Sequence, residues 1–395
     1  MSDLPPQYGM ERQFQIYMGG MQGQRPTLPV AYPALEAAAQ AVLSAEAFGY
    51  VAGGAGSEDT MRANREAFAR WHIIPRMLRN VGQRDHRVQV LGTTFTAPVM
   101  LAPVGVQSIM HAEAEVATAK AAATLHIPMI LSSAASKTME EVAAALGDTP
   151  RWYQLYWGRN PDVTASFLQR AEAAGYSAIV VTLDTALLSW RDRDLQNAYL
   201  PFLQGLGLAN YFSDTAFRAA LAETPEANPA EAIRYFLSIF SNPTLTWDDL
   251  QFLRAHTKLP ILLKGIVHFD DARKAVDYGV DGIIVSNHGG RQVDGAEAAL
   301  EALPRVVNAV HGSLPILFDS GIRRGSDILK ALALGATTVL LGRPYMWGLA
   351  LHGEAGVREV LLNLLADFDL TLALSGYATC AEVDGTAVSR DSAYR

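Results

Sequence analysis

Gly282-Ile283-Ile284-Val285-Ser286-Asn287-His288-Gly289-Gly290-Arg291-Gln292 is a short apolar run that stops on a polar tip. The run is rich in β-branched residues and predicts a buried strand. At the tip, Gly289 and Gly290 let the backbone turn and approach a ligand closely. His288 can exchange a proton near neutral pH. Arg291 can fork onto a carboxylate. Taken alone, the stretch reads equally well as a polar turn with a surface arginine.

The surrounding chain repeats the pattern. From residue 97 onward, apolar runs alternate with helical spacing. The runs are Pro98–Pro103, Pro128–Leu131, Trp152–Tyr156, Ala178–Asp184, Pro260–Lys264, the opening stretch, Pro315–Asp319 and Thr338–Gly342. Eight short strands, each followed by a helix, predict a parallel (β/α)8 TIM barrel. The rival is an open doubly wound sheet, but no GxGxxG follows the first strand. Residues 1–30 are rich in Gly, Pro and Gln and read as an extended N-terminal arm. A helical extension follows: one helix from Tyr32 to about Phe48, a glycine-rich break at 50–56, and a second helix to about Trp71 with Ser57 as its N-cap. The barrel domain then runs to residue 380, and 381–395 form a C-terminal tail. Between strands four and five lies an irregular stretch of about 190–245. Its Tyr199, Phe202, Tyr211, Phe212, Phe217, Tyr235 and Phe236 favour a packed lid over a loose linker.

Composition narrows the function. Half of the 395 residues are apolar, so a large core can form. The net charge is −8 and the pI about 5.6, with no long basic run, which argues against nucleic acid. The single cysteine, Cys380, excludes an intrachain disulfide and a Cys-based metal site. No carboxylate–His spacing suggests a metal. The first residues carry no secretory pattern, and no apolar run approaches a membrane span. These features fit a soluble protein of a reducing cytoplasm.

Barrel enzymes place reactive groups at the C-terminal ends of their strands. Read in order, those ends carry Pro103-Val104-Gly105, Ser132, Gln154 and Tyr156, Thr182 and Asp184 with Arg191 beyond, Lys264, Ser286 to Arg291, Asp319-Ser320-Gly321, and Gly342-Arg343. Lys264 is either a rim residue with a snorkelling stem or a positive charge in the barrel mouth, where the strand ends converge. Strands seven and eight commonly hold a phosphate in this fold. There Arg343 can clamp the phosphate and Asp319 can hold hydroxyls, or the two form a structural pair. Arg191 and Arg291 suit a small carboxylate, and Tyr50 and Tyr156 can add hydroxyls. Asp184 can hold the imidazolium of His288. No Ser, Cys or Thr is placed as a nucleophile. The set suits a phosphate-bearing cofactor facing a small carboxylic acid.

SNHGGRQ, with LKG at strand five, DSGIRRGSDILKALALGA and LGRP, resembles the FMN-dependent L-2-hydroxy acid oxidase and dehydrogenase family over about residues 28–380. The PTLP segment, YVAGGAGSEDT, IPRML and the long WRDRD excursion look most like its lactate 2-monooxygenases. The resemblance implies FMN as cofactor and a small 2-hydroxy acid and O2 as substrates. It makes His288 the base and Asp184 its partner. Arg191, Arg291 and Tyr50 become carboxylate ligands, with Tyr156 near the substrate hydroxyl. Lys264 would stand beside flavin N1, and Pro103, Val104 and Gly105 against N5. Ser132, Gln154, Thr182 and Ser286 would contact the ring. Asp319, Gly321, Arg323, Gly342 and Arg343 would hold the ribityl phosphate. A homotetramer or homo-octamer is implied too. No haem-binding domain precedes the barrel, which argues against a flavocytochrome. The expected reaction is oxidation of L-lactate to acetate, CO2 and water. The alternatives are release of pyruvate and H2O2, or a flavin barrel without net redox. Gly105 stands where many oxidases have Ala, and is expected to leave space beside N5. Ala134 stands where glycolate oxidases have a bulky aromatic, so the pocket wall must come from elsewhere, such as the lid.

Overall fold

The computed structural model describes residues 6–391. Eight parallel strands close into one barrel. They are β1 (Val99–Leu101), β2 (Met129–Ser132), β3 (Arg151–Leu155), β4 (Ile179–Thr182), β5 (Ile261–Ile266), β6 (Gly282–Val285), β7 (Ile316–Phe318) and β8 (Thr338–Leu341). Each pairs with its chain neighbours, and β8 pairs with β1. The expected TIM barrel is therefore the observed fold. The β5–β6 ladder shifts register between Lys264 and Ile266, a bulge at the mouth of the barrel.

The strands are apolar on both faces because both are covered. Val99, Leu101, Ile179, Val181, Ile283 and Val285 face the ring of helices. Met100, Ile130, Trp152, Val180, Leu262, Ile284, Leu317 and Leu340, one from each strand, fill the inside, with Val90 and Phe95 closing the bottom. Burying each such side chain contributes about 1.5–3 kcal/mol. The helices start on local signals: Thr138 and Glu141 form a capping box before Met139–Leu146, and Asn160 caps Pro161–Ala173.

Three expectations change. The N-terminal arm is not extended over its described part: Tyr8–Met21 is a helix packed on the last helix, Arg343–Leu374. Asp369, fully buried in that last helix, accepts from Gly9 N (2.7 Å), twice from Arg84 (2.7 Å) and from His86 (2.8 Å). A Cβ at Gly9 would stand 2.6 Å from Leu370, so only glycine allows this approach. The helix expected over 32–48 splits at Leu43 because Ser44 caps a new one, Ala45–Ala52. Ser57 is not an N-cap. Its backbone N–H donates to Asp294 (2.7 Å), and Glu58, left-handed at φ 64°, precedes the helix Asp59–Ala69. The tail returns to the body: Val388–Arg390 pairs antiparallel with Trp71–Ile73. Residues 1–5 of the arm and 392–395 of the tail lie outside the described residues.

The excursion of about 190–245 is built from short helices ending in Pro229–Phe240, and Phe202, Tyr211, Phe217 and Phe236 are buried in it. It is packed, as its aromatics suggest. Among the described residues no helix is long and apolar enough to cross a membrane.

We predict that Asp369→Ala, which strands Arg84 as an uncompensated buried charge, lowers unfolding free energy by about 3–5 kcal/mol in urea titrations. Burial pushes the Asp369 carboxyl up, but His86, Arg84 and the Gly9 N–H outweigh it and hold it below its ordinary 3.8. A depressed carboxylate stabilises above its unfolded value, so this contribution should persist down to pH 3.8 and vanish only below it.

Candidate active site

Alternation along a strand builds the floor of the site. Two residues beyond the inner apolar layer, the inward positions are Ala102, Ser132, Gln154, Thr182, Lys264, Ser286, Asp319 and Gly342. Gln154 Oε1 accepts from Ser132 Oγ (3.0 Å), and its Nε2 donates to Thr182 Oγ1 (2.9 Å). Lys264 Nζ donates to Ser286 Oγ (2.9 Å) and lies 3.4 Å from Asp319. Burial works to lower the Lys264 pKa, but Asp319 and Asp184 outweigh it and raise it, so the amine stays charged.

His288 stands at the rim, left-handed at φ 57°, followed by Gly289 and Gly290 at 65° and 78°. Its Nδ1 lies 2.7 Å from Asp184 Oδ1. Thr185 Oγ1 touches both, at 3.0 Å from Asp184 and 3.3 Å from His288. Burial, aided by Lys264 and Arg191, lowers the His288 pKa against the pull of Asp184. Burial pushes Asp184 the other way, but His288 and Lys264 outweigh it and bring its carboxyl down to about 2. The pair is thus a carboxylate and a neutral imidazole. With Nδ1–H donated to Asp184, Nε2 is left as an acceptor.

Four arginines surround this centre. Arg291 donates to the carbonyls of Tyr50 (2.6 Å) and Gly53 (2.8 Å), with its guanidinium 5.3 Å from the Tyr50 ring centre. Burial, then Arg191 and Arg343, push it down to about 9. Arg191 donates to Ser189 and Gln292, with Asp194 3.8 Å away. Arg343 donates to the carbonyls of Val51, Gly289 and Gly53 and is pushed down to about 10 by burial, then by Arg323. Arg323 lies over the Tyr32 ring, and its Nε is buried without a partner. Arg291, Arg323 and Arg343 pair with no carboxylate among the described residues. Cations desolvated in this way favour an incoming anion.

These groups line one cavity of about 150 Å3 at the barrel mouth. Tyr50, Pro103, Val104, Gly105, Ser132, Tyr156, Arg191, Lys264, His288, Arg291, Asp319, Gly321, Arg323, Gly342 and Arg343 all reach it. Gln154, Thr182, Asp184 and Ser286 do not line it; they stand behind and hold Ser132, His288 and Lys264. Burial raises the Tyr156 pKa, so its hydroxyl keeps its proton. The expected space beside Gly105 is absent. A Cβ there would fall 2.6 Å from Ala134 O, because the turn after β2 fills the position and Val106 N donates to that same oxygen (2.9 Å).

Sequence reading missed Thr185, although it follows Asp184 directly. It also missed Leu188 and Phe240. Phe240 comes from the end of the lid and packs 5.2 Å from Tyr156 and 5.4 Å from Phe202, and all of these rings reach the cavity. The lid thus supplies the wall that Ala134 lacks.

The donors suit a phosphate-bearing cofactor. Arg323 and Arg343 await an anion, and at Gly342, beside the start of the last helix, a Cβ would meet nothing within 4 Å. The backbone there opens toward the cavity, as helix N-termini that take phosphate do. The family model for FMN-dependent dehydrogenases matches residues 39–390. An FMN-dependent alpha-hydroxy acid dehydrogenase of Schizosaccharomyces pombe is 45% identical over 390 residues, covering 96% of this chain and 95% of the relative. An L-lactate oxidase of Lysinibacillus sphaericus is 43% identical over 348 residues, covering 88% and 89%. The crystal structure of a mandelate oxidase superposes with a TM-score of 0.81 at 39% identity, covering 92% of this chain and 98% of that one. The chain belongs to the FMN-dependent dehydrogenase family and is an oxidoreductase that uses FMN to oxidise 2-hydroxy acids.

Proposed function

We propose that the protein oxidises L-lactate with O2 to acetate, CO2 and water. The observation that carries the reading is His288, paired to Asp184 at 2.7 Å, lining one cavity together with Arg191 and Arg291. In this reading Arg191 and Arg291, with Tyr50, take the carboxylate. The substrate hydroxyl then lies between Tyr156 and His288, and Nε2 of His288 accepts its proton. Asp184 holds the resulting imidazolium. Arg323, Arg343, Asp319, Gly321 and Gly342 hold the ribityl phosphate. Pro103, Val104, Gly105 and Ser132 hold the ring, Gln154, Thr182 and Ser286 act from behind by fixing Ser132 and Lys264, and Lys264 supplies the ring with fixed positive charge. Bound FMN supplies the two-electron acceptor for the hydrogen that leaves Cα.

Lactate as substrate is supported by the relatives named L-lactate oxidases. Retention of the product is supported by the packed lid, whose Phe202 and Phe240 stand at the cavity wall. O2 takes up the two electrons removed from lactate and becomes H2O2; pyruvate held there with it loses CO2 and becomes acetate, one peroxide oxygen entering the acetate and the other leaving as water. Pyruvate that escapes first leaves an oxidase giving pyruvate and H2O2, the second reading, which the names of the same relatives favour. Lid opening sets the ratio of the two. A homotetramer or homo-octamer in the cytoplasm completes the proposal, and light scattering reads the assembly.

Pure enzyme given L-lactate and air should yield acetate and CO2 in a one-to-one ratio. Stoichiometric pyruvate and H2O2 without acetate would establish the second reading instead. His288→Ala should slow anaerobic flavin reduction by roughly 10²–10⁴-fold with FMN still bound; an unchanged rate would remove His288 as the base. Because burial lowers the His288 pKa, the acid limb of kcat/KM should lie below pH 6.5. Asp184 raises that pKa, so Asp184→Asn should move the limb lower still. Arg291→Lys, which cannot fork, should raise KM about tenfold, or about 1.4 kcal/mol. An unaltered KM would count against the clamp.

A further inference from the structure

One group of buried polar side chains has no part in the reaction just described. Gln107, Glu115, Thr118 and Tyr345 are fully buried behind the turn that follows β1. Glu115 Oε1 accepts two backbone N–H groups, from Gln107 (3.1 Å) and from Ser136 (3.0 Å). The first lies in the turn after β1 and the second in the turn after β2. Gln107 Nε2 donates to Val104 O (3.0 Å), and its Oε1 accepts from Thr118 Oγ1 (2.6 Å). The Tyr345 hydroxyl donates to Ala102 O (2.9 Å). Glu115, Gln107 and Tyr345 therefore grip backbone groups within and on both sides of Pro103-Val104-Gly105, the stretch that lines the cavity, and Thr118 holds Gln107 in place. A buried polar network costs more than apolar packing unless the geometry it holds is needed. Here the cost is visible: Glu115 Oε2 is buried with no partner among the described residues. Burial pushes the carboxyl up to about 7, so a neutral amide can stand in for its protonated form.

We propose that Glu115 is a positioning residue of the active site. Through a single oxygen it ties the turns after β1 and β2 together, and so sets the Val104–Gly105 wall against which cofactor and substrate lie. The proposal rests on the reading of the site given above.

Two variants of the holoenzyme test it. Glu115→Asp keeps the carboxyl group but withdraws the oxygen by about 1.5 Å, so it cannot reach both amides. Glu115→Gln keeps an acceptor in place. The readouts are the visible absorption of bound FMN, the FMN dissociation constant, and kcat and KM for L-lactate. Glu115→Asp should shift the flavin band and lower kcat roughly ten- to a hundredfold, with KM changed less than about threefold and FMN still bound. Glu115→Gln should keep the wild-type band and a kcat within about threefold of wild type. An Asp variant with wild-type spectrum and kcat overturns the proposal. Equal losses in both variants overturn it too, since a variant that keeps the acceptor in place would then behave like one that withdraws it. Loss of folded holoprotein in the Asp variant would make Glu115 a structural residue, which also overturns it. If L-lactate does not reduce the wild-type flavin, the proposed reaction falls, and the spectral comparison still decides the role of Glu115.

Discussion

Inside a closed barrel every second side chain of a strand must point inward. That constraint organises this protein. One inward layer, from Met100 round to Leu340, is apolar and fills the barrel. The next inward layer has no barrel above it to fill. It is polar at six of its eight positions, and the polar members bond to one another across strands: Ser132 to Gln154 to Thr182, and Lys264 to Ser286. A slip of one residue in β5 would bring Leu263 to the floor and send Lys264 outward among helices. The core and the site are therefore set by a single register, strand by strand.

The site itself is held away from its electrostatic optimum. Arg291 and Arg343 are desolvated beside other arginines and, among the described residues, hydrogen-bond only to backbone carbonyls. His288 is kept neutral by burial although a carboxylate touches it. Val106, His288 and Ser320, none of them glycine, hold left-handed backbone around the same cavity. Such residues persist only where the surroundings over-determine them. Here Ser320 Oγ accepts the N–H groups of Asn287 and Gly289. The fold supplies the stability, and the strand ends use part of it to keep cations ready for anions.

Above the floor, the excursion between β4 and β5 behaves as a small core of its own. Tyr211 packs against Phe167, Phe217 and Phe236, and Phe236 against Phe240. The aromatic chain thus runs from a barrel helix to the cavity wall. A lid anchored in this way moves only when several contacts break together.

The sequence by itself determined the barrel, the order of its strands and nearly every polar strand end. These are local properties: apolar runs, their period, and the residue that follows each run. Lys264, His288, Asp319 and Arg343 were legible for that reason, and their ordered motifs carried the resemblance to FMN enzymes. What escaped depends on contacts between distant segments. The helix Tyr8–Met21 has weak local signals and is held by Gly9 on Asp369, 360 positions away. The role of Gly105 lies in Ala134, on another turn. Phe240 reads as one more lid aromatic until the chain folds it against Tyr156. Glu115 reads as an ordinary helix glutamate until two turns converge on one of its oxygens. Only tertiary structure decided these, because burial and hydrogen-bond partners belong to pairs of residues that the linear pattern does not link.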